Sequence, residues 1–283
     1  MRVDSHHHLW RYTPEDYGWI DESMAILQRD FLPPDLEREA TIIDATIAVQ
    51  ARQTLEETRW LLSLAAQSSL IQGVVGWAPI AANDFPATLE TLRRNPLLKG
   101  LRHVVQTEHD GFLDDPSFNR GVAALLPTSL VYDLLIFARQ LPEATHFVDR
   151  HPHQSFVLDH IAKPDIKANA FASWNQAIRE LARRPNVTCK LSGMVTEADW
   201  HTWSPEQLQP YFDTVLEAFG PSRLMFGSDW PVLTVASTYS RWVETVATWL
   251  APLTPTERAA IEGETATRVY QLTTKNEQLE TNQ

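Results

Sequence analysis

Val3-Asp4-Ser5-His6-His7-His8-Leu9-Trp10 (VDSHHHLW) stands almost at the amino terminus. Its first residues favour a short buried strand, and the strand ends in three histidines rather than a turn. Strand side chains alternate between faces, so His6 and His8 share one face and His7 takes the other. The same alternation predicts Asp4 on the His6 face, one step deeper. An open doubly wound sheet would carry a Gly-rich turn after its first strand. Here a long aromatic segment follows instead, LWRYTPEDYGWIDESMAILQRDFLPPDL, residues 9–36.

Seven further strand-like runs follow Val3–His6: Ile43–Gln50, Gly73–Ala78, Gly100–Val105, Leu130–Phe137, Ser155–Ile161, Val187–Leu191 and Arg223–Ser228. Between most of them lie segments of helical period: 55–66, 85–95, 116–126, 174–184, 205–220 and 237–250. Thr54, Ser204 and Thr254 each stand three residues before a Glu or Gln, the spacing of a capping box. Pro205 and Pro255 occupy first helical positions, and Gly220-Pro221 stops the seventh helix. Eight strands alternating with helices predict an α/β fold, a single (β/α)₈ barrel. There is no internal repeat and no linker. The barrel is expected over residues 1–273, with a polar tail, 274–283, that frays.

The chain has 283 residues, 43% of them hydrophobic, enough for a substantial core. No apolar run approaches the ~20 residues of a membrane helix, and the start carries no signal-peptide core. A net charge of −12 repels phosphate backbones and argues against a nucleic-acid partner. The single cysteine, Cys189, allows no internal disulfide, which fits a cytoplasmic location. Nothing in the sequence bears on oligomeric state.

In such a barrel, chemistry gathers at the carboxyl ends of the strands. The polar residues there are His6 and His8, Gln50, Arg102 or His103, His160 with Lys163 just beyond, Ser192 preceded by Lys190, and Asp229. The fifth run ends without a histidine. A lone histidine at a strand end is more often a hydrogen-bonded structural residue. Two at i and i+2, with an aspartate after the last strand, form a sharper signal. The eighth strand closes against the first, so Asp229 should meet His6 and His8. Two imidazoles and a carboxylate can hold a divalent metal, or act directly as acid, base and electrophile. Arg102 and His103 are adjacent, so one faces the mouth, and Arg102 is the expected one. Arg102, Lys163 and Gln50 are the candidate substrate-binding residues. Lys190 needs a carboxylate if it is buried, and Asp4 or Asp229 is the expected partner. The aromatic segment after His8 reads as a lid able to stack on a sugar-derived ring, or as a strap sealing the barrel side.

The set H-x-H after strand one, His160 after strand six and Asp229 after strand eight resembles the amidohydrolase superfamily. DSHHHLWRYTPEDYGWI, RDFLPPDL, VQARQTLEETRWLL, GVVGWAPI, KGLRHVVQ, FVLDHIAKP, CKLSG and FGSDWPV resemble its lactonase branch, whose members open sugar lactones, 4-sulfomuconolactone or 2-pyrone-4,6-dicarboxylate. The resemblance implies lactone hydrolysis, with Asp229 activating water and catalytic roles for His6, His8 and His160. The fourth strand, GLRHV, lacks the bridging lysine or glutamate of binuclear members, and the fifth lacks a histidine. A metal is therefore optional: one divalent ion, zinc by ligand type, on His6, His8 and Asp229. Glu264-Thr265 replaces the usual Gly-Asn, which bears on the last helix alone. The expected partner is a small-molecule lactone, a neutral sugar lactone since only Arg102 is well placed for a carboxylate. The alternatives are a dicarboxylate lactonase, a metal-dependent decarboxylase of the same superfamily, or a silent scaffold barrel.

Overall fold

The computed structural model describes residues 1–272, so the 274–283 tail lies outside the described residues. Eight parallel strands run in chain order around one sheet: β1 (Val3–His7), β2 (Ala45–Val49), β3 (Ile71–Gly76), β4 (Leu98–Val104), β5 (Val131–Leu135), β6 (Phe156–Leu158), β7 (Val187–Leu191) and β8 (Leu224–Phe226). Each pairs with the next. The seam between β8 and β1 closes through fewer bonds: Ser5 Oγ donates to the Phe226 carbonyl (2.6 Å), Asp229 N to His6 O (2.8 Å) and His8 N to Trp230 O (2.7 Å). The result is a nearly closed (β/α)₈ barrel.

Among the described residues ten helices surround it: α1 (Pro33–Glu39), α2 (Leu55–Ala65), α3 (Phe85–Leu92), α4 (Pro116–Ala123), α5 (Leu141–Arg150), α6 (Phe171–Ala182), α7 (Pro205–Phe219), α8 (Tyr239–Leu250), α9 (Pro255–Ala259) and α10 (Thr265–Val269). Thr54, Ser204 and Thr254 accept the expected capping bonds, and Thr254 and Glu257 form the full reciprocal box. Helix α5 fills the place after β5, where local pattern carries no distinct helical signal. Its apolar stripe, Leu141, Ala144, Phe147 and Val148, is short and broken by polar residues.

The core has two shells. Small and β-branched residues fill the narrow interior: Val3, Ala45, Ile47, Val49, Val75, Val131 and Val157, with Tyr270 and Leu272 rising from below. Large aromatics, among them Trp10, Trp174 and Trp242, pack between strands and helices. The last helices lie under the amino terminus. A Cβ at Gly263 would stand 2.0 Å from the Met1 carbonyl, so only glycine lets this backbone approach.

Two expectations about strands need correction. Asp4 does not share the His6 face. Val3 pairs with Ala45 and Asp4 with Thr46, but His7 pairs with Ala48, so a bulge inserts one residue in between. Asp4 instead faces the helices: it accepts from Tyr239 Oη of α8 (2.9 Å) and from Ser228 N (2.8 Å). The sixth strand is also shorter than Ser155–Ile161. His160, Ile161, Ala162 and Lys163 all take positive φ, of 53°, 48°, 62° and 45°, and end the pairing. Four left-handed non-glycine residues in succession cost on the order of 1–2 kcal/mol each. Such a turn persists when its surroundings determine it, as when Trp174 Nε1 donates to Ile161 O at 2.8 Å.

The aromatic segment is a strap at its base and a cavity wall at its tip. Trp10 and Phe31 exchange backbone bonds across it, and Trp10 and Tyr17 are buried, whereas Trp19 is 44% exposed. Glu57 ties it down: its Oε2 accepts from Ala51 N (3.0 Å) and Arg52 N (2.7 Å), and its Oε1 meets Tyr17 Oη at 3.4 Å. Burial pushes the Glu57 carboxyl up to about 7, against the bonds from Arg52 and Ala51. A raised folded value means that the proton favours the fold. This stabilisation is complete below the ordinary 4.5 and is lost as pH rises through about 7. Between these limits the wild type should lose stability relative to Glu57→Gln as pH rises. Paired thermal melts across that range check it, and parallel profiles would refute the assignment.

Candidate active site

β1, β6 and β8 deliver their terminal side chains to one corner of the barrel mouth. Oδ1 of Asp229 lies 3.4 Å from His8 Nε2, 3.8 Å from His6 Nε2 and 3.9 Å from His160 Nε2. One carboxylate oxygen thus faces three imidazoles. Burial raises the Asp229 carboxyl, but His160, His8 and Lys163 outweigh it and hold the group below the usual carboxylate range. Burial drives His160 down to about 4, only partly opposed by Asp229 and Asp159, so its ring is neutral at neutral pH. Its Nδ1 pairs with Ser192 Oγ at 2.9 Å, which gives Ser192 an orienting role.

His8 Nδ1 lies 2.8 Å from the Val49 carbonyl. A carbonyl only accepts, so Nδ1 carries a proton there, and Nε2 is the ring nitrogen turned toward Asp229. The His6 and His8 Nε2 atoms are 3.2 Å apart. That contact requires a proton or a cation between them. With bonds of about 2.0–2.1 Å, the edge of a tetrahedral zinc site is about 3.4 Å. The separations of 3.2, 3.4 and 3.8 Å fit it, so His6, His8 and Asp229 suit a zinc ion. His6, Asp159 and His160 also converge, but Lys190 Nζ already sits 2.9 Å from Asp159 Oδ1 and supplies the positive charge there.

His7 points the other way, as strand alternation predicts. It is fully buried, meets Thr46 Oγ1 at 3.0 Å, and is driven by burial down to about 3. His7→Gln is therefore expected to keep turnover within a few-fold of wild type. His6→Gln should lose on the order of 10²-fold. Equal damage from the two would show that the face assignment is wrong.

Above this corner opens a cavity of about 690 Å³, lined by His8, His160, Asp229, Arg102 and Lys163 among others. Arg102 is the member of its pair that faces inward. His103 faces out, bonded to Glu108 (2.8 Å) and stacked on Phe112. Lys163 Nζ lies 3.7 Å from Glu197 Oε1. Gln50 is not brought to the cavity wall; its side chain is buried and its carbonyl accepts from Arg102.

Beneath the cavity runs a column of charges that the sequence reading missed. Lys190 pairs with neither Asp4 nor Asp229. Its Nζ lies 2.5 Å from Asp133 Oδ2, 2.9 Å from Asp159 Oδ1 and 3.1 Å from His6 Nδ1. Asp4 is turned outward by the bulge, and Asp229 stands at the mouth, above Lys190. Arg102 continues the column, 2.9 Å from Asp159 Oδ2, and Tyr270 Oη closes it from below at 2.9 Å from Asp133 Oδ2. Burial raises Asp133. Burial also raises Asp159, but Lys190, His6 and Arg102 hold it well below the usual range. Asp133 was visible as a lone charge inside the apolar run VYDLL, where a buried strand must supply a partner. Glu197, Arg52 and Trp200 on the cavity wall come from loops and gave no such signal.

The family model described as amidohydrolase matches residues 3–272. The chain is 44% identical to an L-fucono-1,5-lactonase of Burkholderia multivorans and 37% identical to one of Burkholderia ambifaria, covering 96% of each chain in both comparisons. A crystal structure of a Burkholderia multivorans amidohydrolase with bound zinc superposes with a TM-score of 0.94 at 44% identity, covering 96% of this chain and 100% of the other.

Proposed function

The chain belongs to the amidohydrolase family and is a hydrolase, and from that premise we propose that it opens a sugar-derived lactone, L-fucono-1,5-lactone or a close stereochemical relative. The observation that carries this reading is the convergence of Asp229, His8 and His160 on the wall of one cavity, with His6 buried directly behind them against Asp229. The similarity to L-fucono-1,5-lactonases along almost the whole chain supports the choice of sugar.

Asp229, held ionised, is the base. It takes a proton from a water molecule as the water oxygen attacks the lactone carbonyl carbon. The carbonyl oxygen gains charge opposite the imidazoles and the Arg102 guanidinium, which stabilise it without leaving their places. When the ring carbon–oxygen bond breaks, Asp229 returns the proton to the departing ring oxygen, which becomes a hydroxyl group. His160, fixed by Ser192, orients the substrate. His6, His8 and Asp229 would hold a zinc ion, which when bound supplies Lewis-acid polarisation and a more acidic water. With its single cysteine, Cys189, buried and unpaired, the chain needs no oxidising compartment, and we place the activity in the cytoplasm.

A pH-indicator hydrolysis screen over sugar 1,4- and 1,5-lactones tests the reading, with L-fucono-1,5-lactone expected among the best substrates. A folded protein that opens none of them would end it. Chelator-treated protein titrated with zinc should bind one equivalent and melt at a higher temperature, and His8→Gln should lose that shift. An unchanged shift in His8→Gln would place the ion elsewhere.

A further inference from the structure

Three cationic side chains line the cavity, and each already has a carboxylate partner. Arg102 stands 2.9 Å from Asp159, Arg52 2.6 Å from Asp16 and Lys163 3.7 Å from Glu197. Four carboxylates line the same walls: Asp16, Glu197, Glu15 and Asp229. Glu15 and Asp229 have no Lys or Arg within ion-pair distance among the described residues. Anions thus outnumber cations four to three. The second arginine, Arg52, does not offer a free site for a substrate carboxylate, because Asp16 holds it. A lactone carrying a carboxylate would have to displace a wall partner and would enter a negative field.

The Lys163–Glu197 pair differs from the other two. Its atoms stand 3.7 Å apart, beyond direct hydrogen-bond length, with side chains 18% and 21% exposed toward the cavity. A hydroxyl group set between them can accept from the ammonium and donate to the carboxylate at once. Both residues are fixed. Lys163 ends the left-handed turn after β6, and the Glu197 carbonyl accepts from Lys167 N at 3.0 Å, tying the two loops together.

We propose that Lys163 and Glu197 form the hydroxyl-binding end of the cavity, and that Glu197 is the specificity residue excluding carboxylate-bearing lactones in favour of neutral polyhydroxylated ones. This rests on the lactonase reading and names its substrate class. The test is steady-state kinetics on L-fucono-1,5-lactone and on an aldaric acid monolactone, a sugar lactone with a free carboxylate. Glu197→Gln should raise KM for the neutral lactone on the order of 10- to 100-fold, the worth of a hydrogen bond to a charged group, with kcat within a few-fold. Its preference for the neutral over the anionic lactone should fall at least as far. Lys163→Gln should raise KM for the neutral lactone by a similar factor. In the wild type, added salt should lower KM for the anionic lactone and leave that for the neutral one unchanged, a readout independent of any variant's folding. An unmoved preference in folded Glu197→Gln, or a wild type that takes both lactones equally at low salt, overturns the inference while the lactonase reading stands. A wild type that opens neither lactone, nor any in the wider screen, overturns the lactonase reading itself.

Discussion

Asp229→Asn is expected to lower kcat by on the order of 10²–10⁴-fold while leaving the melting profile close to that of the wild type. The substitution keeps shape and volume but replaces the carboxylate proposed to take the water proton with an amide too weakly basic to do so. It also removes the anion that three imidazoles surround within 3.4–3.9 Å. Burial favours the neutral forms of the His6 and His160 rings, so the loss of a carboxylate neighbour strands neither as a buried cation. The Asp229 backbone bond to His6 O survives, and the seam with it. Single-turnover kinetics, circular dichroism and zinc content together separate loss of the base from loss of fold or of metal. Retention of more than about a tenth of wild-type kcat would assign the base elsewhere.

Lys190→Met should be the most destabilising single change in the barrel. The removed ammonium faces Asp133, Asp159 and His6 within 2.5–3.1 Å, and all four side chains are fully buried. Removing one partner of a buried pair typically costs about 3–5 kcal/mol, because the other charge is left uncompensated. For a chain of this size, that is a fall in Tm on the order of 10 °C. Methionine fills most of the volume, so the loss reports charge rather than a cavity. The sign with pH follows. Lys190 is the foremost group holding both carboxylates down, so its removal shifts both upward, and protonating them costs the variant less stability than it costs the wild type. The gap between wild type and variant should therefore narrow on acidification. Adding Asp133→Asn to Lys190→Met should recover part of the loss, which a double-mutant cycle measures. A variant melting within about 2 °C of wild type at neutral pH would show that water or Arg102 compensates the column.

The barrel was legible because eight strand-like runs alternate with helical ones, and β-branched runs bounded by turn residues leave little choice of fold. The site corner was legible because H-x-H at a strand end and an aspartate after the last strand obey strand alternation near the mouth. Lower down, alternation failed. The bulge between Asp4 and His7 adds one residue without a glycine or proline to announce it, so Asp4 was set on the wrong face. The left-handed turn His160–Lys163 is equally silent, since none of its four residues favours positive φ. Lys190 was recognised as needing a partner. Which carboxylate answered it depended on facing strands, β5 and the end of β6, and pairing around a ring is not written in local pattern. Cavity residues such as Glu197 and Trp19 come from loops, where periodicity carries no information about direction.

The join between β8 and β1 has a consequence for how the protein is made. The bonds that shut the ring, Asp229 N to His6 O, His8 N to Trp230 O and Ser228 N to Asp4 across a sequence separation of 224, belong to the residues that form the reactive corner and to their neighbours. During synthesis the first strand emerges before the other seven and must wait for the last. Until then the histidines have no carboxylate opposite them, whatever the intervening helices have achieved. With Asp229 as the proposed base, ring closure and the onset of catalysis are one event, and a nascent chain stopped before β8 is expected to be inert. The appearance of turnover in a refolding reaction times the final joining of the two ends.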